Sequence, residues 1–349
     1  MDAFTAALHN VMTGKQPDRR EIVVLLSAGP GQMPALFAAA DRVRRKGVGD
    51  AVHLRAVVEF SNYCRRNCLY CGLRRDNRRL SRYRLTRQEI MAAVDKAAAL
   101  GYRTVVLQSG EDLHYRAADI AGLIEQIKNK GLAVTLSLGE RSREEYRDWR
   151  EAGADRYLLK HETADQNLFR YLKPGGSLKN RLQCLYWLKE LGYQTGSGNM
   201  VGLPGQSPEI LAGDIMLMRR LDVDMAGIGP FLPHHDTPLK SAPAGNLDLT
   251  LKTLAVTRLC CPRAHLPATT ALGTLHPEAR RLALKSGANV IMPNLTPPGV
   301  RDKYLIYPQK KEPSADPGEA LEMIKILLSG LGRPLARDRG DAIKILRRN

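Results

Sequence analysis

The sequence predicts an α/β chain whose body is a (β/α)8, TIM-type barrel, with an N-terminal helical extension and a short C-terminal one. Three observations predict it. Eight short, largely apolar runs alternate in series with helix-period runs from residue 51 onward. Several of the helical runs end in a glycine just before the next strand, at Gly101, Gly131, Gly153, Gly192 and Gly287, which suits a left-handed cap. The segments richest in polar residues all follow the strand runs, on the face where such barrels carry their sites.

The elements follow in order. Residues 1–50 read as two or three short helices, with apolar helical spacing over 22–26 and 33–43 around the breaker SAGPGQ. Strands are expected at 54–60, 104–108, 133–138, 156–159, 195–201, 225–228, 265–268 and 289–293. Helices between them are expected at 88–100, 120–130, 143–152, 178–191, 209–221, 249–260 and 278–286. Each crossover should be right-handed. The strand ends then carry CRRNCLYC, QSGED, SLGE, KHET, GNMVGLPGQ, GPFLPHHDTP, TTALGT and PNLTPP in turn. The expected division is a helical segment over 1–50, the barrel over 51–310 and a helical tail over 311–349.

Composition narrows the class. Apolar residues make up 44% of the 349, enough for a sizeable core. The opening MDAFTAALHN has no basic stretch followed by an apolar core, and no run approaches the ~20 apolar residues of a membrane span. A soluble, reducing, cytoplasmic setting without a membrane partner is expected. The net charge is +17, much of it in Arg74 to Arg87 and in the tail from Arg333. A solvated basic face is the preferred reading, and nucleic acid is not expected, because aromatics for base stacking are only 5%. Whether the tail docks a partner or covers the barrel's base stays open.

Cys64, Cys68 and Cys71 sit in CRRNCLYC, directly after the first strand run. The spacing C-x3-C-x2-C offers three thiolates from one tight loop. Zinc wants four ligands, typically in pairs, and no second pair follows. Six cysteines in this length are too few for a disulfide framework. Three cysteines can hold a 4Fe-4S cubane with one iron left open. Cys184 and the pair Cys260 and Cys261 fall in helical patterns and read as core.

At this loop the chain resembles the radical S-adenosylmethionine (SAM) superfamily. The resemblance implies one 4Fe-4S cluster on Cys64, Cys68 and Cys71, with SAM on the open iron and Tyr70 against its adenine. Ser109, Gly110 and Glu111 resemble the GGE motif that holds the SAM amino group, with Ser109 in place of the first glycine. Glu162 suits the ribose hydroxyls or amino group, and Arg181 the methionine carboxylate. Gln108, Ser137 and Met200 complete the expected cofactor-binding set. Gly198, Gly202 and Gly205 look like a glycine-bearing SAM cleft, since no G-x-G-x-x-G opens a helix there.

The passages VHLRAVVEFSNYCRRNCLYCGLRRDN, TVVLQSGED, GADRYLLKHETA, GIGPFLPHHDTPL and GANVIMPNLTPP resemble the HydE family of iron-iron hydrogenase maturases. Biotin synthase and methylornithine synthase are kin. The resemblance implies a radical step in building the di-iron cofactor, on a small cysteine-bound iron complex with CO and cyanide from another maturase. It also implies a flavodoxin or ferredoxin as electron donor. The matching substrate positions are Thr135, Arg156, Lys160, Thr269, Thr270, Tyr304 and Tyr307. Lys160 stands where the family is expected to have arginine, which keeps the charge but loses the bidentate fork. No cysteine follows the eighth strand, so no accessory cluster is expected. His161 reads equally as an inward polar residue or a structural one. His234, His235 and Asp236 resemble a metal trio that is not expected to converge on one ion. Competing readings are a carbon-skeleton mutase of the methylornithine synthase type, a non-catalytic iron-sulfur scaffold and an RNA-modifying radical enzyme.

Overall fold

Leu25, Val58, Val105, Leu136 and Ile228, drawn from elements far apart in sequence, are all buried in one continuous core. The computed structural model that shows this describes residues 1–308, 314 and 316–343. Three helices open the chain, α1 (Ala3–Met12), α2 (Arg19–Leu26) and α3 (Met33–Val48). The sheet strands are β1 (His53–Leu54), β2 (Ala56–Ser61), β3 (Thr104–Ser109), β4 (Ala133–Ser137), β5 (Arg156–Leu158), β6 (Gln194–Val201), β7 (Met225–Pro230) and β8 (Val290–Ile291).

Crossover helices are α4 (Arg87–Ala99), α5 (Ala117–Asn129), α6 (Arg143–Glu151), α7 (Gln166–Leu172), α8 (Leu178–Glu190), α9 (Pro208–Arg220) and α10 (Leu247–Cys260). Shorter α11 (Thr270–Leu275), α12 (Ala279–Lys285) and α13 (Pro298–Arg301) precede α14 (Pro317–Ser329). Capping boxes start α2, α4 and α6, where Asp18, Thr86 and Ser142 exchange bonds with Glu21, Glu89 and Glu145. Each cap is worth about 1 kcal/mol. The five glycines expected to end helices all have positive φ, from +75° at Gly131 to +112° at Gly287. Helices α2 and α3 pack against α9 and α10.

β2 to β7 form a parallel sheet in sequence order, and β1 pairs in parallel with β8. Single parallel bridges close the ring, from Met225 to His265, Pro267 to Val290 and Val57 to Asn294. The seventh strand, expected over 265–268, is only these two bridges. Pro267 has no N–H to extend the ladder. The first strand is broken at Arg55, and the eighth is two residues long.

The C-terminal segment closes the amino-terminal end of the barrel. Val52 donates to the Pro334 carbonyl and Ala336 donates to the Val52 carbonyl, both at 2.9 Å. From there Arg339 to Ala342 cross the floor beneath Thr104, Arg156 and Gln194, each the first residue of its strand or nearly so. The described part of the basic tail thus covers the barrel's base. Of the expected tail segment 311–349, residues 311–313, 315 and 344–349 lie outside the described residues. Among the described residues no helix is long and apolar enough to cross a membrane.

Candidate active site

β2 delivers the chain to the carboxyl end of the barrel, where the cysteine loop begins. Asn62 anchors it, donating to the carbonyls of Ser81 at 2.8 Å and Lys303 at 2.7 Å and accepting from Tyr83 N–H. Arg82 donates to four carbonyls around the loop, those of Asn62, Leu73, Arg74 and Asn77. Cys68 is buried, and Cys64 and Cys71 are half-buried. Burial pushes the Cys64 thiol up, and the nearby Glu111 and Cys68 add to it against the N–H groups of Arg66 and Glu111. Burial pushes Cys71 well above the usual thiol range, with Cys68 and Cys64 next. The Cys64 and Cys71 thiols, both raised, would ionise most readily around a bound cation. That donor set fits a cluster held by three thiolates, and the Glu111 N–H aimed at Cys64 Sγ from 3.4 Å suits a thiolate there.

Gly110 brings the end of β3 against this loop. A Cβ there would lie 2.1 Å from the Tyr63 carbonyl oxygen and 2.8 Å from Cys64 Cβ. Ser109 turns its hydroxyl back to the Gly110 carbonyl at 2.7 Å. The Glu111 carboxylate enters a buried ion network instead of the open cavity. Arg66 meets it at 2.5 Å, Arg65 at 3.3 Å and Arg181 at 3.5 Å, while Glu140 takes Arg66 and Arg181 at 2.5 and 2.8 Å. Burial alone would raise the Glu111 pKa, but Arg181, Lys173 and Arg66 together hold it below the usual carboxylate range. Burial acts to lower the Arg181 pKa, yet Glu140 and Glu111 hold it above its ordinary value. Arg181 is thus committed to two carboxylates. Ser137, half-buried, pairs in register with Gln108 at the end of β4.

A cavity of about 350 Å³ opens beside Cys68 and Cys71 and runs across the barrel mouth. Tyr70, Gln108, Glu162 and Met200 line it. Lys160, Thr269, Thr270 and Tyr307 line it too. Among the described residues Glu162 is one of two non-glycine residues with positive φ, at +67°. Backbone bonds lock it there: its N–H donates to the Gly198 carbonyl, and Met200 N–H donates to its own, both at 3.0 Å. Such a conformation costs of order 1 kcal/mol, which those bonds offset. Its carboxylate lies 3.4 Å from Lys160 Nζ. Behind it Asp214 accepts from Ala164 N–H and Asn199 Nδ2, and burial pushes its carboxyl up to about 7.

Three sequence-predicted substrate residues lie elsewhere. Arg156, fully buried at the start of β5, is on the floor and not at the mouth, and donates to Asp341 Oδ1 at 2.6 Å and the Arg339 carbonyl at 2.8 Å. Its position explains this, because the first residue of a barrel strand is at the stability end. Thr135 faces a smaller cavity of about 20 Å³ below the main one, shared with Arg55 and His265. Tyr304 is buried beside the wall, with a hydrogen bond to Gln108. His234, His235 and Asp236 do converge, with ligand-type atoms within 4.8 Å of one another. His234 Nδ1 there accepts from Asp236 N–H, and Arg79 engages the Asp236 carboxylate.

Glu59 is the residue the sequence reading missed. It lines the cavity, accepts from Asn294 Nδ2 at 2.8 Å and faces Gln108 Nε2 at 3.5 Å. The signal was a lone acid inside the apolar run AVVEFS.

The Radical SAM superfamily profile matches residues 58–217, the part of the chain that carries the cysteine loop, Glu111, Glu162 and Arg181. The [FeFe] hydrogenase maturase subunit HydE of Thermotoga maritima is 53% identical over 311 residues, 89% of each chain. The chain belongs to the radical SAM superfamily, within its HydE family. The 3-methylornithine synthase of Methanosarcina acetivorans is 30% identical over 80% of each chain. A crystal structure of methylornithine synthase superposes with a TM-score of 0.82 at 28% identity, over 95% of this chain and 97% of that one. Membership makes the protein a SAM-cleaving enzyme with a 4Fe-4S cluster.

Proposed function

We propose that the protein matures iron-iron hydrogenase, acting on a small cysteine-bound iron complex with CO and cyanide handed over by another maturase. The cluster with SAM bound supplies reductive cleavage to a 5′-deoxyadenosyl radical. The observation that carries the reading is the single cavity joining Cys68 and Cys71 to Lys160, Thr269 and Thr270. Tyr70 offers an apolar face for adenine and Glu162, on a backbone held at positive φ, a carboxylate for the ribose hydroxyls. Lys160 supplies the cation for an amino-acid carboxylate, and the two threonines and Tyr307 supply hydroxyls. With Arg181 held by Glu111 and Glu140, that network orients the wall behind SAM. One cluster is part of this reading, and the burial of Cys184, Cys260 and Cys261 in the core supports it.

Anaerobic reconstitution should give about four irons per chain, and reductant plus SAM should release 5′-deoxyadenosine. Cys68→Ala should abolish both, and SAM cleavage that persists in that variant defeats the reading. The substrate is tested by a hydrogenase maturation mixture lacking only this protein, which its addition should restore. The likeness to methylornithine synthase favours a second reading, a carbon-skeleton mutase. A rearranged amino acid formed from lysine would establish it.

A further inference from the structure

Residues 63–87 wrap the cysteines and hold nine arginines against one acid, Asp76. Backbone bonds stitch this segment into two layers. Arg75 N–H donates to the Arg66 carbonyl at 2.8 Å, and Arg74 N–H to the Cys71 carbonyl at 3.1 Å. The turn bearing Arg74, Arg75 and Asp76 is therefore the outer layer of the cysteine loop itself. Arg65, Arg75, Arg78 and Arg79 are exposed around it. Their charge is poorly neutralised. Arg75 reaches only its neighbour Asp76, Arg79 pairs with Asp236, and Arg78 has no ion-pair partner among the described residues.

Two large apolar side chains are exposed on the same loop region, Tyr63 at 36% under the Arg84 guanidinium and Leu113 at 54% in a hollow shared with Arg65 and Arg66, whose carbonyl holds Arg75. Tyr63 directly precedes Cys64, and Leu113 follows the Glu111 whose N–H reaches Cys64 Sγ. This face is distinct from the substrate cavity, whose wall takes Cys68 and Cys71 but not Cys64. Two apolar side chains set among arginines thus lie beside the cysteine loop, Tyr63 one residue from Cys64 and Leu113 two residues from the Glu111 that meets Cys64 Sγ. Electron transfer falls off steeply with distance, so this is where a donor should dock without blocking substrate.

We propose that this face docks an acidic one-electron carrier protein, an inference that rests on the radical reading above. One electron leaves the reduced carrier and one arrives at the cluster, and no bond forms or breaks in that step. The carrier's acidic rim would meet the arginines, which steer the encounter. Nucleic acid fits less well, because the Arg84 guanidinium covers the Tyr63 ring at 3.7 Å and leaves no stacking platform.

The test uses the cluster-bearing protein with an acidic flavodoxin, and reduced methyl viologen, a small cation, as the alternative donor. Flavodoxin binding by calorimetry and 5′-deoxyadenosine formation are both followed. Arg75→Glu with Arg78→Glu should weaken binding and the flavodoxin-driven rate by about tenfold or more. The viologen-driven rate and iron content should not change. Arg78→Glu alone should move in the same direction by less, and added salt should slow the wild type more than the double variant. Equal flavodoxin binding and rates in variant and wild type overturn the docking face and leave the radical reading intact. A wild type that cleaves no SAM with viologen overturns that reading and this face with it. RNA binding that shows this charge-reversal sensitivity, where flavodoxin binding shows none, assigns the face to nucleic acid and overturns it too.

Discussion

His161 resolves at the residue scale what its sequence left even. It is fully buried, with Nδ1 2.9 Å from Ser197 Oγ and Nε2 3.9 Å from Asp214, directly before the strained Glu162. Burial, then Lys160 and Arg181, pushes its pKa down from 6.5 to about 3. The folded-state value lies below the unfolded one, so the neutral ring stabilises the fold fully above about pH 6.5. That contribution drains away as the pH falls toward 3, at up to about 1.4 kcal/mol per pH unit. His161→Asn should flatten the pH dependence of the unfolding midpoint over this window by about one proton. An unchanged slope would show that His161 is protonated in the fold. His53, pushed down to about 4, and His265 remain in the variant and keep the rest of the acid sensitivity.

At the scale of the element, the cysteine loop owes its shape to one guanidinium. Arg82 satisfies four carbonyls that flank Cys64 and Cys71 on both sides. Lysine keeps the charge but cannot fan out to all four. Arg82→Lys should orphan two or three of them, at about 1 kcal/mol each. The expected outcome is several-fold faster iron loss to a chelator with a near-native far-UV spectrum, and iron loss at the wild-type rate would refute the role. The motif spacing made the cysteines legible, but Arg82 looked like one more solvated arginine. Its partners are backbone carbonyls, which carry no side-chain signature. Strands were legible where apolar runs were unbroken, as at Thr104–Ser109. The seventh was overread because its short run, His265 to Ala268, holds a proline that cannot extend the ladder. Glu59 was hidden for the opposite reason, an acid whose partners Gln108 and Asn294 come from strands far away in sequence.

At the scale of the whole molecule, the barrel has two ends with different tasks, and Arg156 marks the boundary between them. Its placing among the substrate residues came from the family resemblance, whereas its place at the start of β5 puts it at the stability end. The tail that meets it is more than two hundred residues away from β3, so no local pattern could announce the contact. Asp341 accepts from Arg156 and from Gln194 Nε2 at 2.7 Å. Burial would raise its pKa, but the Gln194 hydrogen bond and Arg156 hold it below the usual range. Asp341→Ala leaves the Arg156 guanidinium buried with only neutral partners, at a cost of about 3 kcal/mol. Arg156→Leu in the same chain removes the stranded charge and should recover much of that loss, so the two changes should not add. Denaturant midpoints of the two single variants and the double variant give the coupling directly. The reaction should be indifferent, because the pair lies at the opposite end from Cys68 and Lys160. 5′-Deoxyadenosine formation per folded, cluster-loaded chain should therefore match the wild type in all three. A loss of that activity at full cluster occupancy, without a loss of stability, would return Arg156 to the substrate site.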